Sequence, residues 1–195
     1  CIKKFHDICD YLTINISSPN TENLRSFHNQ NELDELLNAI KDEKQKLNSK
    51  IPIAVKISPD IEEANVEKIS ELLIKYNISL AIISNTSDKN RENLKNINKL
   101  EKGGLSGKPL EKKSNELINR FYKILKGKVK IIGVGGVDSG KSAYEKIING
   151  ATLIQLYTGM VYKGPSIASK ISNELIDILK YEGIKNISEA IGTKN

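Results

Sequence analysis

A length of 195 residues with 38% apolar and 28% charged side chains suits one globular domain with a real core. The net charge of +6 arises from 30 basic and 24 acidic residues, with lysines set among acids as in Lys41-Asp-Glu-Lys-Gln-Lys46. That is a solvated face, and no basic stripe interleaved with aromatics exists, so nucleic acid is set aside as a partner.

Cys1 and Cys9 are the only cysteines and His6 and His28 the only histidines. A disulfide framework, a histidine metal site and a Ser-His-Asp triad therefore have little material. No apolar run reaches about 18 residues, the length needed to span a bilayer. No signal peptide or Arg-rich presequence opens the chain. It begins without Met, in a polar stretch that reads as the middle of a helix, and is expected to be a piece of a longer protein.

In chain order, the first β-branched apolar run is Tyr11–Ile16, predicted as a strand. A helix is predicted over Asn31–Leu47, with Leu33, Leu36, Leu37 and Ile40 at helical spacing. Strand Ile53–Ile57 and helix Ile61–Tyr76 follow, the latter with Val66, Ile69, Leu72 and Leu73 on one face. Then come strand Leu80–Ser84, helix Ser114–Leu125, strand Lys130–Val134, helix Lys141–Ile148, strand Thr152–Tyr157 and helix Ile167–Leu179. The strands are near-continuously apolar, as expected of parallel strands buried on both faces. Strands alternating with helices imply βαβ units.

The unusual residues fall at one place in each unit, just after the strand. They are Ser17-Ser-Pro-Asn20, Lys56, Asn85-Thr86, Gly135-Gly136 and Tyr157-Thr158-Gly159. Such clustering at strand carboxyl ends marks the catalytic face of a (β/α)₈ TIM barrel. A doubly wound sheet would also bind ligands there, but with glycines concentrated in a first-turn GxGxxG, and none is present. An α/β barrel needs eight strands. The five here predict its second half, as a single domain over residues 1–195.

Six motifs in order carry a family resemblance. They are Asn15-Ile-Ser-Ser-Pro-Asn-Thr21, Lys56-Ile-Ser-Pro-Asp60, Ser84-Asn-Thr86, Gly103-Gly-Leu-Ser-Gly-Lys-Pro-Leu110, Gly133-Val-Gly-Gly136 and Gln155-Leu-Tyr157. Together, over residues 10–192, they resemble the dihydroorotate dehydrogenases, in particular the class 2, quinone-linked branch. The resemblance implies an FMN enzyme oxidising dihydroorotate to orotate in pyrimidine synthesis, with ubiquinone as final acceptor. It also implies membrane association through an amino-terminal region not present in this sequence, at the mitochondrial inner membrane.

Residue roles follow from the same resemblance. Ser18 stands where class 1 members carry Cys, and is the implied catalytic base. A serine hydroxyl is a poor base near neutral pH, so it needs an acceptor such as Thr21 and a dry site. Asn15, Asn20, Asn85 and Thr86 are the implied substrate contacts, carboxamides being suited to a planar edge of carbonyl and N–H groups. Lys56, inside an apolar strand, suits the negative charge of a reduced flavin. Asn15, Ser84, Ser106, Gly107, Gly135, Gly136, Tyr157 and Thr158 complete the implied flavin set, the glycines letting backbone N–H groups approach a phosphate. Residues 18–28 are expected to form a mobile polar flap, and Arg25 matches an Arg of the family without an assigned contact. Two readings stay open beside this one. One is a class 1-like or pyrimidine-reducing relative using fumarate or a nicotinamide cofactor. The other is a partial chain that lacks stable activity when expressed alone, since five strands cannot close a barrel.

Overall fold

The structure is a computed structural model describing residues 1–89 and 91–194. Its five strands are β1 (Leu12–Asn15), β2 (Ile53–Ile57), β3 (Leu80–Ile83), β4 (Lys130–Val134) and β5 (Leu153–Gln155). All pairings are parallel, and the spatial order is β1-β2-β3-β4-β5. Sequential parallel order, with a helix over each connection, is the pattern of a (β/α)₈ barrel, so the architecture is five βα units of a TIM-type α/β fold.

The helices are α1 (Ile2–Phe5), α2 (Gln30–Lys46), α3 (Glu63–Lys75), α4 (Glu111–Leu125), α5 (Gly140–Ile148), α6 (Thr158–Lys163) and α7 (Ile167–Tyr181). Five match the predicted helices to within three residues at either end. The helix α6 was not predicted, because six residues are too few to show a period. It begins at the Tyr157-Thr158-Gly159 turn.

The parallel register sorts side chains onto two faces. Ile53, Val55, Ile57, Ala81, Ile83 and Ile131 point outward and pack with Leu33, Leu37, Ile69, Leu73, Ile118 and Phe121 of α2, α3 and α4. The opposite face carries a thinner apolar layer of Ala54, Ile82 and Ile132, flanked by Leu80 and Val134. On that inner face Asn15 lies beside Lys56, Lys56 beside Ile82, and Val134 beside Gln155.

Burial on both faces holds for β2, and for β3 and β4 apart from residues at their ends, and fails at the sheet edges. In β1, Thr13 and Asn15 are exposed, and in β5 Leu153 is 55% exposed. These edge strands also run shorter than their apolar sequence. Just past β1 the Asn15 side chain takes the Ser17 N–H at 3.2 Å. Ser139 and Ser142 close a capping box at the start of α5.

Candidate active site

The site forms at the carboxyl ends of the strands. Asn15 ends β1, and its Oδ1 accepts the Ser17 hydroxyl at 2.7 Å. Asn85 follows β3 and reaches across the end of β2: its Nδ2 donates to Ser17 Oγ at 2.9 Å and to Asn15 Oδ1 at 3.4 Å. Its own Oδ1 accepts the Thr86 N–H at 2.8 Å. Ser17, fully buried, is thus the hub that fixes two carboxamides from the ends of β1 and β3, on either side of β2. It was not among the predicted site residues; only its place between Asn15 and Ser18 hinted at it.

Ser18 is half-buried in the next turn. Its Oγ accepts the Asn20 N–H at 3.2 Å, and Thr21 Oγ1 lies 3.4 Å away. The serine therefore has a second hydroxyl beside it on its solvent side, where Thr21 and Asn20 are both exposed.

A cleft of about 920 Å³ opens beside this group. Lys56, Ser84, Asn85 and Thr86 line one end, and Ser106, Gly107, Gly135, Gly136, Tyr157 and Thr158 the other. Asn15, Ser18 and Asn20 do not line it. They stand at its margin, where Pro19 and Thr86 both press on Gly104: a Cβ there would overlap Thr86 Oγ1 and fall 3.2 Å from Pro19 Cγ.

Lys56 is half-buried, and burial lowers its pKa from the ordinary lysine value. Among the described residues no acceptor pairs with its Nζ. An unpaired, partly desolvated ammonium facing a cleft is a standing attraction for negative charge.

The glycine loops press closely on their neighbours. Gly107 has φ +77°, and a Cβ there would meet Thr158 Cγ2 at 2.8 Å. Thr158 Oγ1 donates to Ser106 Oγ at 2.9 Å, tying the two loops together. Gly136 has φ +78° and lies against the first turn of α4, where a Cβ would fall 2.5 Å from that of Glu111. Tyr157, in contrast, is 79% exposed and contributes only at the rim.

The segment from Ser18 to His28 is anchored at its far end. Leu24–His28 forms a 3₁₀ turn. Arg25 donates to both Asp88 oxygens at 3.0 Å and pairs with Asp60 at 3.4 Å. Asp60, with its side chain only 2% exposed, also accepts from Lys113 at 2.5 Å, Ser87 Oγ at 2.6 Å and the Asp88 N–H at 3.1 Å. Burial alone would raise its pKa, but Lys113, Ser87 and the Asp88 N–H outweigh that and hold it below the usual carboxylate value. The stabilisation is complete above the ordinary Asp pKa and lost as pH falls through the lower folded value. Asp60→Asn leaves Lys113 without its carboxylate and Arg25 with Asp88 alone, and is expected to cost about 3 kcal/mol of stability in denaturant titration. A loss within about 0.5 kcal/mol, the scale of ordinary surface changes, would remove Asp60 from this role.

His28 is buried beneath the same anchor. Its Nε2 accepts the Ser58 N–H at 3.3 Å, and Nδ1 faces the Arg25 carbonyl at 3.0 Å. That pairing needs the neutral ring with the proton on Nδ1. Burial, chiefly, lowers its pKa below 6.5. The folded state should keep its full stability above 6.5 and lose part as pH falls below it. Denaturation midpoints measured from pH 7.5 to 5 should show that slope, and His28→Gln should flatten it.

Among the described residues no group of His, Cys, Asp or Glu could hold a metal ion, and no helix is long and apolar enough to cross a membrane.

Comparison with known proteins is specific. Residues 1–179 match the family model described as dihydroorotate dehydrogenase. The dihydroorotate dehydrogenase (quinone) of Trichodesmium erythraeum is 44% identical over 196 residues, covering 95% of this chain and 50% of that protein. The enzyme of the same name from Wigglesworthia glossinidia brevipalpis is 46% identical over 175 residues, covering 88% and 52%. The crystal structure of ligand-free DHODH from Eimeria tenella superposes with a TM-score of 0.96 at 33% identity, covering 100% of this chain and 58% of that one. Its complex with ferulenol gives 0.95 at 33% identity. The chain spans about half the length of the curated relatives it matches.

Proposed function

Because the chain belongs to the dihydroorotate dehydrogenase family, we propose that it is the carboxyl-terminal part, one domain over residues 1–195, of an FMN-binding barrel. That barrel oxidises (S)-dihydroorotate to orotate, with a quinone as final electron acceptor, in pyrimidine synthesis. The observation that carries this reading is one cleft with an unpaired, half-buried Lys56 at one end and close-packed glycine loops at the other. An isoalloxazine suits the first end and a phosphate ester the second. Bound FMN would supply the hydride-accepting chemistry and the link to the quinone.

Lys56 sits where it would oppose negative charge on the ring system. Gly135, Gly136, Gly107 and Ser106, with Thr158 and Tyr157 at the rim, offer backbone N–H and hydroxyl donors to the phosphate. Ser84 is buried at the Lys56 end, its N–H donated to the Val134 carbonyl at 3.1 Å. Asn15 and Asn85, locked through Ser17, hold the substrate's carbonyl and N–H edge, with Thr86 behind them and Asn20 on the flap. Ser18 removes the substrate proton and hands it outward through Thr21. The Arg25–Asp60 anchor gives the flap a fixed base, leaving Ser18 to Asn23 as the part that opens and closes.

The quinone is a membrane solute, so the reaction belongs at a membrane surface; the family resemblance implies the mitochondrial inner membrane and an amino-terminal region for that contact. Steady-state assay of the full-length polypeptide with a ubiquinone analogue, fumarate and NAD⁺ in parallel tests the acceptor. Turnover with the quinone alone is expected. Turnover with fumarate or NAD⁺ and not with the quinone would place the protein with the class 1-like enzymes.

A further inference from the structure

Lys146 of α5 is fully buried, and among the described residues no carboxylate pairs with it. Its Nζ donates to Ser114 Oγ at 3.0 Å and Asn115 Oδ1 at 2.9 Å, both on α4. Glu111 lies near enough to favour its charge and Lys108 opposes it, but those two are paired with each other. Burial dominates and brings its pKa down to about 7. Leucine or methionine would fill the same space without desolvating an ammonium. What the lysine adds is two directed hydrogen bonds.

Those bonds lead to the glycine loop. Ser114, accepting from Lys146, directs its own proton to the Val134 carbonyl at 2.5 Å. Val134 is the last residue of β4, and Gly135 and Gly136 follow it with φ of +113° and +78°. Both glycines rest on α4: a Cβ on Gly135 would come within 3.3 Å of the Ser114 Cβ, and one on Gly136 within 2.5 Å of the Glu111 Cβ. The stem of Lys146 passes under the same strand, 3.0 Å from where a Gly133 Cβ would stand. One side chain therefore ties α5, α4 and the end of β4 into a unit beneath the loop.

We propose that Lys146 is a positioning residue for phosphate binding: through Ser114 it fixes the Val134 carbonyl, and so aims the Gly135–Gly136 backbone at the phosphate of the flavin. This rests on the FMN reading above and adds to it a residue that never touches the ligand. The test compares FMN with riboflavin, which lacks the phosphate, by fluorescence titration of full-length protein stripped of flavin. Wild type should prefer FMN. Lys146→Met should weaken FMN about tenfold and riboflavin less than about twofold, the scale of one charge-assisted hydrogen bond. Ser114→Ala should shift the preference in the same direction, and decides the matter if Lys146→Met does not fold. An unchanged FMN-to-riboflavin ratio in the variants, including parallel weakening of both flavins, reduces Lys146 to packing and overturns the inference. A wild type with no preference for FMN overturns the flavin-phosphate reading itself.

Discussion

Ser18→Ala in the full-length polypeptide is expected to slow reduction of bound flavin by dihydroorotate by about 10²- to 10⁴-fold, the usual contribution of a general base. The folded structure should tolerate the change. Ser18 is only half-buried, and the hydroxyl's one clear structural bond is to the Asn20 N–H at 3.2 Å, a turn contact worth about 1 kcal/mol. Flavin content should also be retained, since Ser18 stands outside the cleft lining. A small stability loss with a large kinetic loss would separate proton transfer from folding. Thr21→Val should give a weaker version of the same defect, because it removes only the hydroxyl 3.4 Å from Ser18 Oγ. Unchanged stopped-flow reduction in Ser18→Ala would remove the serine from the chemistry.

Lys56→Ala should damage binding and chemistry together. Removing one preorganised charge from the place where negative charge develops costs about 10²- to 10³-fold in rate. Flavin affinity should also fall, because the ammonium has no competing partner among the described residues. Lys56→Met separates charge from packing, since it keeps the stem that lies beside Ile82 in the register. A pH profile adds the sign. Burial lowers the Lys56 pKa from its ordinary value of 10.5. Flavin reduction by wild type should therefore decline as pH rises through that lowered value, and the decline should be missing in Lys56→Met. A Lys56→Met protein reduced at the wild-type rate would contradict the electrostatic role.

Much of this was legible in the sequence for a physical reason. Parallel strands buried on their helix-facing side must be apolar, so Ile53–Ile57 and Lys130–Val134 declared themselves with their observed bounds. A charge inside such a run, or an amide or paired glycines just after one, stands out, and Lys56, Asn85 and Gly135-Gly136 all line the cleft. Edge strands were overread, because an apolar run does not say where a neighbouring strand ends; Thr152–Tyr157 shrank to Leu153–Gln155.

Long-range polar contacts were out of reach. Asp60 sat in the quoted Lys56-Ile-Ser-Pro-Asp60 motif, yet nothing local showed that Arg25, Ser87 and Lys113 would converge on it. Ser17 looked like a turn residue because its partners are Asn15 and, far along the chain, Asn85. Lys146 did leave a trace. It falls on the same helical face as Ala143 and Ile147, which are buried. A lysine is almost never fully buried unless something holds its ammonium, so its place on that face signals a polar partner across the helix interface.

The proposed chemistry requires the strand ends of this chain to hold a flavin that dihydroorotate reduces. Anaerobic titration of the purified full-length polypeptide with dihydroorotate, followed by the visible absorbance of oxidised flavin, tests it directly. A yellow protein bleached stoichiometrically by dihydroorotate and recoloured by a quinone analogue is expected. A colourless protein that takes up no FMN, or a bound flavin that dihydroorotate leaves oxidised, would contradict it.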